Sequence, residues 1–255
     1  MKLGFIGTGK ITESVVTGIC TSDIKYKKII LSSRNKKIAN SLKKKFKNII
    51  IKNNNQEIIN KSNWIFLAVT PTVGKKILKD LKFNFKHTIV SFISTIKLNE
   101  LKKMIKVKSI IVRAIPLPPI SIKKGPVPIC PPNKKVKNFF DKIGSTIEIK
   151  NEKLSINFWS TSGMMASYYN ILRAMSDWLV KKGIKKQDAQ KYITSLFLAL
   201  SEDAVVNSKK DLKFLVKESQ TPKGLNEQGL KEMTKKGVYK SVINTLNSIH
   251  KRLNN

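Results

Sequence analysis

The feature that most constrains the fold is a glycine-rich loop at the start of the chain, between a predicted strand and a predicted helix. Residues Leu3–Ile6 are apolar and β-prone, Gly7 and Gly9 follow, and a helical pattern covers Ile11–Cys20. Gly7 allows a tight turn, Gly9 lets the backbone approach an anion, and the small residue Thr12 replaces the third glycine of the fingerprint. The helix directs its free N–H groups at that anion. The segment therefore predicts a loop that binds the phosphates of a dinucleotide.

The first half of the chain repeats this alternation of strand and helix. The predicted strands are near-continuous apolar runs, as expected for strands that are buried on both faces. They cover Leu3–Ile6, Ile29–Ser32, Asn48–Ile51, Trp64–Val69, Thr88–Phe92 and Ser109–Arg113. The predicted helices cover Ile11–Cys20, Lys36–Phe46, Gln56–Lys61, Val73–Leu81 and Leu98–Ile105. This rhythm predicts an α/β fold with a mostly parallel, doubly wound sheet of the Rossmann type.

A change from strands to helices after residue 150 indicates where the first domain ends and the second begins. Seven prolines between Ile115 and Pro132 exclude regular helix there, and a helix and strand over Val136–Ile149 complete the first domain, residues 1–150. Residues 151–255 show almost no strand signal. They contain the helical patterns Ser162–Lys182, Gln187–Val206 and Lys231–Leu253. Their broad apolar faces predict an all-helical second domain that packs against another copy, as a homodimer or higher homo-oligomer.

The end of the second strand indicates which dinucleotide is bound. An NAD enzyme usually offers a carboxylate to the ribose 2′-hydroxyl there, whereas an NADP enzyme offers arginine and small hydroxyls to the 2′-phosphate. This chain has Ser32-Ser33-Arg34 with no acidic residue nearby, which favours NADP(H). The alternative is that Arg34 only begins a surface helix. Ala68-Val69-Thr70-Pro71 ends the fourth strand, where the cofactor is expected to pass, although an ordinary strand-to-helix turn explains it equally well.

The charge of the chain is strongly positive. Its formal net charge of +34 comes almost wholly from lysine, since only four residues are arginine. A basic chain can bind nucleic acid through phosphate contacts, but reading of bases favours arginine forks and interleaved aromatic residues. The lysines are spread over every predicted helix and form no stripe. We therefore do not expect a nucleic-acid partner, and we interpret the lysines as a solvated surface.

Other classes of protein are disfavoured by simpler observations. The longest apolar runs, such as Trp64–Val69, are too short to cross a membrane, and the N-terminus lacks the apolar stretch of a secretory signal. Two cysteines form no disulfide framework, so we expect reduced thiols and a cytoplasmic protein. Two histidines without a close cluster of other ligands predict no metal site.

Several motifs in order along the whole chain resemble pyrroline-5-carboxylate reductase. These are Gly4-Phe5-Ile6-Gly7 with Gly9, Ile65-Phe66-Leu67-Ala68-Val69 with Pro71, Val112-Arg113-Ala114-Ile115-Pro116, Ser162-Gly163, and Thr221-Pro222 with Gly224. The resemblance implies a Rossmann domain that binds NAD(P)H, a helical dimerisation domain, and reduction of the C=N bond of a small cyclic imino acid to give proline. It implies cofactor contacts at Ile6, Gly7, Thr8, Gly9, Lys10, Ile11, Ser33, Arg34, Asn55, Ala68 and Val69.

The resemblance also implies two substrate loops, and the chain departs from the family in both. One loop contains Ser162 and Gly163, where the family typically reads Ser-Gly-Ser-Gly-Pro-Ala-Tyr and this chain reads Ser-Thr-Ser-Gly-Met-Met-Ala. The other is Thr221-Pro222-Lys223-Gly224-Leu225-Asn226, where the family has Ser-Pro-Gly-Gly-x-Thr. An amide thus replaces the family's hydroxyl. Pro116-Leu117-Pro118-Pro119 replaces Pro-Asn-Thr-Pro, and Thr70 stands where a lysine is expected.

The altered second loop still offers candidates for catalysis. The Asn226 amide can hydrogen-bond a reacting imine or carbonyl, Lys223 can pair with a substrate carboxylate, and Glu227 can donate a proton or hold an amine. The alternative is that Thr221 and Pro222 cap a helix whose first polar turn contains Asn226 and Glu227. Three other functions stay open: a reductase of the same fold for a different imine or a carbonyl, a non-catalytic NADP-binding protein, and a nucleic-acid binder.

Overall fold

The computed structural model describes residues 1–254 and divides into two compact units, Met1–Phe158 and Trp159–Asn255. The sequence predicts a boundary after residue 150. In the structure, the segment from Asn151 to Phe158 belongs to the first unit. This segment forms a short 3₁₀ helix, Glu152–Leu154, and then enters a helix over Ser155–Ser162.

An eight-stranded sheet forms the centre of the first unit. Its strands are β1 (Lys2–Ile6), β2 (Lys28–Ser32), β3 (Ile49–Lys52), β4 (Trp64–Leu67), β5 (Thr88–Ser91), β6 (Ile110–Ala114), β7 (Pro126–Cys130) and β8 (Ser145–Glu148). The strand order is β3-β2-β1-β4-β5-β6-β7-β8, and every neighbouring pair is parallel except β6 and β7. The order reverses direction next to β1, which confirms the predicted doubly wound sheet and brings the glycine loop to the switch point.

Helices cover both faces of this sheet. They are α1 (Lys10–Cys20), α2 (Lys36–Lys45), α3 (Asn55–Asn60), α4 (Pro71–Ile77), α5 (Leu98–Ile105) and α6 (Lys134–Phe140). Successive side chains of a strand point to opposite faces, and β4 shows the result: Trp64 and Phe66 join one buried cluster, while Ile65 and Leu67 join the other. The Phe66 ring stacks on Phe5 of β1 with centroids 4.4 Å apart. Burial on both faces explains why the strands are continuous apolar runs.

The proline-rich passage contains a strand that the sequence does not predict. It forms a 3₁₀ helix over Pro118–Ile122 and then β7, which lies between β6 and β8. The carbonyl of Pro128 accepts the N–H of Ile115. Because the nitrogen and the carbonyl of one strand residue point to the same side, the nitrogen of Pro128, which has no hydrogen to donate, also faces β6. Only two residue pairs join β6 and β7, whereas four join β7 and β8. The prolines are therefore tolerated because they face the short ladder.

The second unit is helical, as predicted, with more breaks than the sequence pattern indicates. The helices are α7 (Ser155–Ser162), which contains the unit boundary, α8 (Met165–Lys181), α9 (Lys186–Val206), α10 (Lys213–Glu218), α11 (Leu225–Lys235) and α12 (Val238–Asn254). The short α10 was not predicted. The predicted helix Lys231–Leu253 is interrupted at Gly237, whose φ is +70°, and it begins earlier, at Leu225.

Apolar side chains of the second unit are widely exposed. Trp178 on α8 is 59% exposed, and Leu198 on α9 is 58% exposed. A groove of about 590 Å³ between these two helices is lined by apolar residues that include Trp178 and Ile193. Among residues 1–254, no helix has both the length and the apolar character needed to cross a membrane.

Candidate functional site

The glycine loop joins β1 to α1 in the conformation that its sequence predicts. Gly7 has a φ of +101°, and a Cβ at this position would collide with the carbonyl oxygen of Ala68 at the end of β4. Only glycine fits such a turn without strain. Gly9 is the N-cap of α1, and no atom lies within 4 Å of the position that a Cβ would take. The first N–H groups of α1 have no acceptor within the helix, so they are available to an anion.

Three buried hydroxyl groups hold this loop in place. The N–H of Gly7 donates to Oγ of Ser32 at 3.0 Å, and Oγ1 of Thr8 donates to the carbonyl of Ser32 at 2.6 Å. Oγ1 of Thr12 donates to the carbonyl of Gly7 at 2.8 Å. The hydroxyl of Thr8 is therefore directed to β2, and Thr12 gains a role that the third glycine of the fingerprint does not have.

A cavity of about 250 Å³ lies beside the loop, at the carboxyl ends of the first strands. It brings together these predicted cofactor residues: Ile6, Gly7, Ser33, Arg34, Asn55 and Val69. The lining also contains residues that are not among the predicted cofactor contacts: Ser32, Asn53, Val73 and Ile77. The other predicted cofactor residues lie outside the lining: Thr8, Gly9, Lys10, Ile11, Ala68, Thr70 and Pro71. The run Asn53-Asn54-Asn55 directly after β3 is a sequence signal that points to Asn53.

Arg34 and Ser33 form the corner of the cavity that suits a 2′-phosphate. The helix α2 begins at Lys36 and is capped by Asn35, whose Oδ1 accepts the N–H of Ile38 at 3.2 Å. Arg34 precedes that cap, so starting the helix does not require it. No residue of the cavity lining carries a carboxylate. The donors of Ser33, Arg34 and Asn55 fit a phosphate dianion, and there is no acid to hold an unsubstituted ribose.

The nearby β3–α3 connection also places a carboxylate between lysines. Glu57 pairs with Lys52 at 2.7 Å and with Lys61 at 2.6 Å. Hydrogen bonds from both lysines hold the pKa of the Glu57 carboxyl below its usual range. This acid is therefore already engaged by cations of the surface and adds no free negative charge to the region.

The end of β4 has the structural role that a strand-to-helix turn requires. Thr70 is the N-cap of α4, and Pro71 occupies the first helical turn, where proline is favoured. Ala68 and Val69 contact the glycine loop, since both lie against the position of a Gly7 side chain. Thr70 is exposed, and its side chain makes no cap hydrogen bond. Thr70 can therefore cap α4 with its backbone and still have a side chain that is available to the cofactor.

In the second unit, Ser162 and Gly163 lie at the end of α7. Ser162 is the last residue of that helix, and the N–H of Gly163 donates to the carbonyls of Trp159 and Ser160 at 3.2 and 3.1 Å. The predicted single helix from Ser162 to Lys182 is wrong at its start, because this turn separates α7 from α8.

The loop before α11 has a left-handed residue at Lys223, whose φ is +62°. The N–H of Lys223 donates to Oε2 of Glu227 at 2.6 Å, and the N–H of Gly224 donates to the carbonyl of Thr221 at 2.8 Å. Gly224 is the N-cap of α11. The backbone therefore keeps, with lysine, a conformation that favours glycine, the residue typical of the family at this position.

The two catalytic candidates are engaged within this loop. Nδ2 of Asn226 donates to the carbonyl of Ser219 at 2.8 Å. Oε1 of Glu227 accepts from Nζ of Lys231 at 2.5 Å. The Lys231 ammonium and the N–H of Lys223 hold the pKa of the Glu227 carboxyl below its usual range. Glu227 is therefore an ionised acceptor near neutral pH, which agrees with the alternative of a polar first turn and gives no support to a proton donor.

The sheet order, the glycine loop and the cavity are those of a dinucleotide-binding unit, and a helical unit follows it in the chain. Residues 2–96 match the family model "NADP oxidoreductase coenzyme F420-dependent", and residues 153–255 match "Pyrroline-5-carboxylate reductase dimerisation". The second domain thus matches the dimerisation domain of pyrroline-5-carboxylate reductases, and the chain as a whole is similar to members of that family. The first match also confirms NADP(H) as the cofactor of the first domain, as Ser33 and Arg34 predict.

Individual relatives agree over nearly the whole length of the chain. Pyrroline-5-carboxylate reductase 3 of Xenopus laevis is 21% identical, over 96% of this chain and 92% of the relative. Pyrroline-5-carboxylate reductase 2 of Bacillus subtilis is 22% identical, over 98% of this chain and 93% of the relative. The crystal structure of Plasmodium falciparum pyrroline carboxylate reductase with NADP bound has a TM-score of 0.85 at 22% identity, covering 99% of this chain and 97% of that one. At this identity the structural likeness shows the shared fold.

Proposed function

We propose that this protein is an NADPH-dependent reductase of the C=N bond of a small cyclic imino acid, and that its product is L-proline. The observation that carries the proposal is the cavity that joins the glycine loop to Ser33 and Arg34 without any carboxylate in its lining. This geometry suits NADPH, the form of the cofactor that reduces. The substrate class is supported by the similarity to pyrroline-5-carboxylate reductases.

The first domain binds and orients the cofactor in this proposal. Thr8 and Gly9, with the first amides of α1 at Lys10 and Ile11, hold the pyrophosphate through backbone N–H groups, while Gly7 supplies the turn and keeps its own N–H on Ser32. Ser33, Arg34 and Asn55 hold the 2′-phosphate. Ile6 and the turn at Ala68, Val69, Thr70 and Pro71 pass beside the nicotinamide half. When bound, the cofactor supplies a hydride to the carbon of the substrate C=N bond.

The second domain binds the substrate in the same proposal. The turn at Ser162 and Gly163 and the loop from Thr221 to Gly224 contact the substrate, and the Lys223 ammonium pairs with its carboxylate. Oδ1 of Asn226 then accepts a hydrogen bond from the protonated substrate nitrogen, while Nδ2 stays on the carbonyl of Ser219. Reduction of C=N needs one hydride and one proton. Since Glu227 is held ionised, we propose that the nitrogen is protonated in water before the hydride arrives, and that Glu227 stabilises the resulting cation.

The working assembly that we propose is a homodimer or higher homo-oligomer, built through the second domain. Support comes from its match to a dimerisation family and from exposed apolar residues such as Trp178 and Leu198. Side chains of this size are energetically favoured in an interface, where about 25 cal/mol per Å² of apolar area is gained. We also propose a cytoplasmic location, which the two free cysteines, Cys20 and Cys130, support.

A different imine or a carbonyl compound is the second candidate substrate. The observations that favour it are Lys223, where the family has glycine, and Asn226, where the family has a hydroxyl residue. A non-catalytic NADP-binding protein is the third possibility, because the cofactor cavity is intact while the loop before α11 is altered.

A substrate panel separates these candidates. The purified protein is mixed with NADPH and, in turn, pyrroline-5-carboxylate, other cyclic imines and small carbonyl compounds, and loss of NADPH absorbance is followed. We expect the highest kcat/KM with pyrroline-5-carboxylate. Turnover of another compound alone would contradict the substrate, and tight NADPH binding with no turnover of any compound would contradict the enzyme activity.

A further inference from the structure

Ser32 joins the two parts of the cofactor site. The glycine loop follows β1, and Ser33-Arg34 follows β2, its parallel neighbour. The last residue pair in the register between these strands is Phe5 and Leu31. Beyond that point, side chains connect the two segments, because Ser32 accepts the Gly7 N–H on its hydroxyl and the Thr8 hydroxyl on its carbonyl.

Both residues of this connection are shielded from water. Ser32 is 5% exposed and Thr8 is 3% exposed, and their hydroxyl oxygens lie 3.1 Å apart. Hydrogen bonds are stronger in such surroundings, and breaking one leaves a buried polar group unpaired. Thr12 holds the carbonyl of Gly7 from the other side. Both backbone polar groups of Gly7 are therefore fixed, and its N–H is fixed to Ser32, the last residue of the strand that Arg34 follows.

We propose that Ser32 and Thr8 act as positioning residues that fix the distance between the pyrophosphate loop and the 2′-phosphate site, and so set the preference for NADP(H) over NAD(H). This inference rests on the proposed cofactor contacts of the first domain. A ligand held at one anionic group presents its second group at a high effective concentration only when the spacing of the two sites matches. A loose spacing therefore costs NADPH, which uses both sites, more than NADH, which uses one.

The test is a double-mutant cycle on cofactor binding, which does not depend on the substrate. Dissociation constants for NADPH and NADH are measured by calorimetry for the unchanged protein, Ser32→Ala, Arg34→Ala and the double variant. Ser32→Ala is expected to weaken NADPH by about fivefold, the fold-change of one hydrogen bond of about 1 kcal/mol. NADH is expected to weaken by less. The loss caused by Arg34→Ala is expected to be smaller in the Ser32→Ala background than in the unchanged protein.

Two further variants keep the result interpretable. Ser62 has the same 5% exposure and donates one hydrogen bond, to the carbonyl of Ile58 at 2.7 Å. It precedes β4, whereas the cofactor cavity lies at the ends where the first strands finish. Ser62→Ala is the matched control, expected to leave both dissociation constants and the effect of Arg34→Ala unchanged. Thr8→Val removes the other bond of the connection with little change of shape, and it is expected to reproduce the effect of Ser32→Ala if that variant does not fold.

Each outcome decides the inference. It is supported when Ser32→Ala or Thr8→Val lowers NADPH affinity more than NADH affinity and reduces the effect of Arg34→Ala. It is overturned when the two cofactors weaken equally and the effects of Ser32 and Arg34 simply add. Absence of NADPH binding in the unchanged protein would overturn the proposed function as well, so the two failures are distinguishable.

Discussion

Glu227 accepts the backbone N–H of Lys223 at 2.6 Å and thereby holds a lysine in the left-handed region, with a φ of +62°. The carboxylate at the start of α11 thus stabilises the loop before the same helix. Lys231 pairs with the other oxygen of Glu227 at 2.5 Å and fixes its orientation. A charged side chain that sequence reasoning assigned to catalysis has, in this structure, a clear local role.

Replacing Lys223 with glycine is expected to stabilise the second domain. A left-handed conformation costs a residue with a Cβ about 1–2 kcal/mol, and the greater freedom of glycine in the unfolded chain offsets part of the gain. The net increase is expected to be about 0.5–1 kcal/mol. Lys191→Gly, in the exposed middle of α9, is the control and is expected to lose about 1 kcal/mol. Thermal unfolding of both variants measures this, and a loss of stability in Lys223→Gly would show that the lysine side chain contributes more than its conformation costs.

The Glu227 carboxyl is expected to give the second domain a dependence on acid. Its folded pKa is lowered, first by the Lys231 ammonium and then by the N–H of Lys223, so its stabilising effect is present above the ordinary glutamate pKa. That effect is lost as the pH falls through the lowered folded pKa. Thermal midpoints across this acidic range are expected to fall less steeply for Glu227→Gln than for the unchanged protein. Around neutral pH the shape of the rate profile is expected to be the same in both, and a break that disappears in Glu227→Gln would identify it as the proton donor.

Arg34 is expected to determine the choice of cofactor. Arg34→Asp removes a charged donor to the 2′-phosphate and adds repulsion. The KM for NADPH should rise relative to the KM for NADH by at least about tenfold, since a hydrogen bond to a charged group contributes about 1.5–3 kcal/mol. Lys44→Asp makes the same change of charge on the exposed surface of α2 and is expected to leave the ratio nearly unchanged. Equal ratios in both variants would contradict the role of Arg34.

The buried Arg113 is expected to make Glu152 important for stability. Arg113 at the end of β6 is 3% exposed and pairs with Glu152 and with the carbonyl of Ser94, while Glu152 also accepts the N–H of Leu98 at 2.7 Å. Glu152→Gln is expected to lower the free energy of unfolding by about 3 kcal/mol, because it leaves a buried cation without its counter-charge.

The exposed pair formed by Arg173 and Asp177 on α8 supplies the control for that prediction. Asp177→Asn is expected to cost less than about 1 kcal/mol, as exposed ion pairs do. Urea unfolding of the two variants tests the difference. An equal loss in the free energy of unfolding for both variants would mean that the charge of Arg113 is stabilised without Glu152.

The sequence predicts the main architecture because that architecture depends on local pattern. Apolar runs such as Trp64–Val69 and the spacing of Gly7 and Gly9 are set by burial on both faces and by the turn itself. Strand β7 escapes prediction because Pro126 and Pro128 argue against a strand. They are compatible with one here only because they face β6, which is a fact of topology and not of local sequence.

For the candidate site, the sequence predicts which residues take part but not how their side chains and backbone are arranged. The residues of the loop and the Ser-Ser-Arg motif are recognised by type and order. The orientation of the Thr8 hydroxyl towards Ser32 is not, since it depends on the neighbouring strand. Lysine gives no signal for a left-handed residue, so the backbone of Lys223 is visible only in the structure. The engagement of Asn226 by the carbonyl of Ser219 spans seven residues and a turn, and a helix pattern does not show it.

The most direct test of the proposed reaction follows the hydride. NADPH that carries deuterium at the transferred position of nicotinamide C4 is incubated with the protein and pyrroline-5-carboxylate, and the product is analysed by mass spectrometry. We predict proline with one deuterium on the carbon that was double-bonded to nitrogen, formed in step with the loss of NADPH. Consumption of NADPH without labelled proline, or no reaction while NADPH binds tightly, would contradict the proposal.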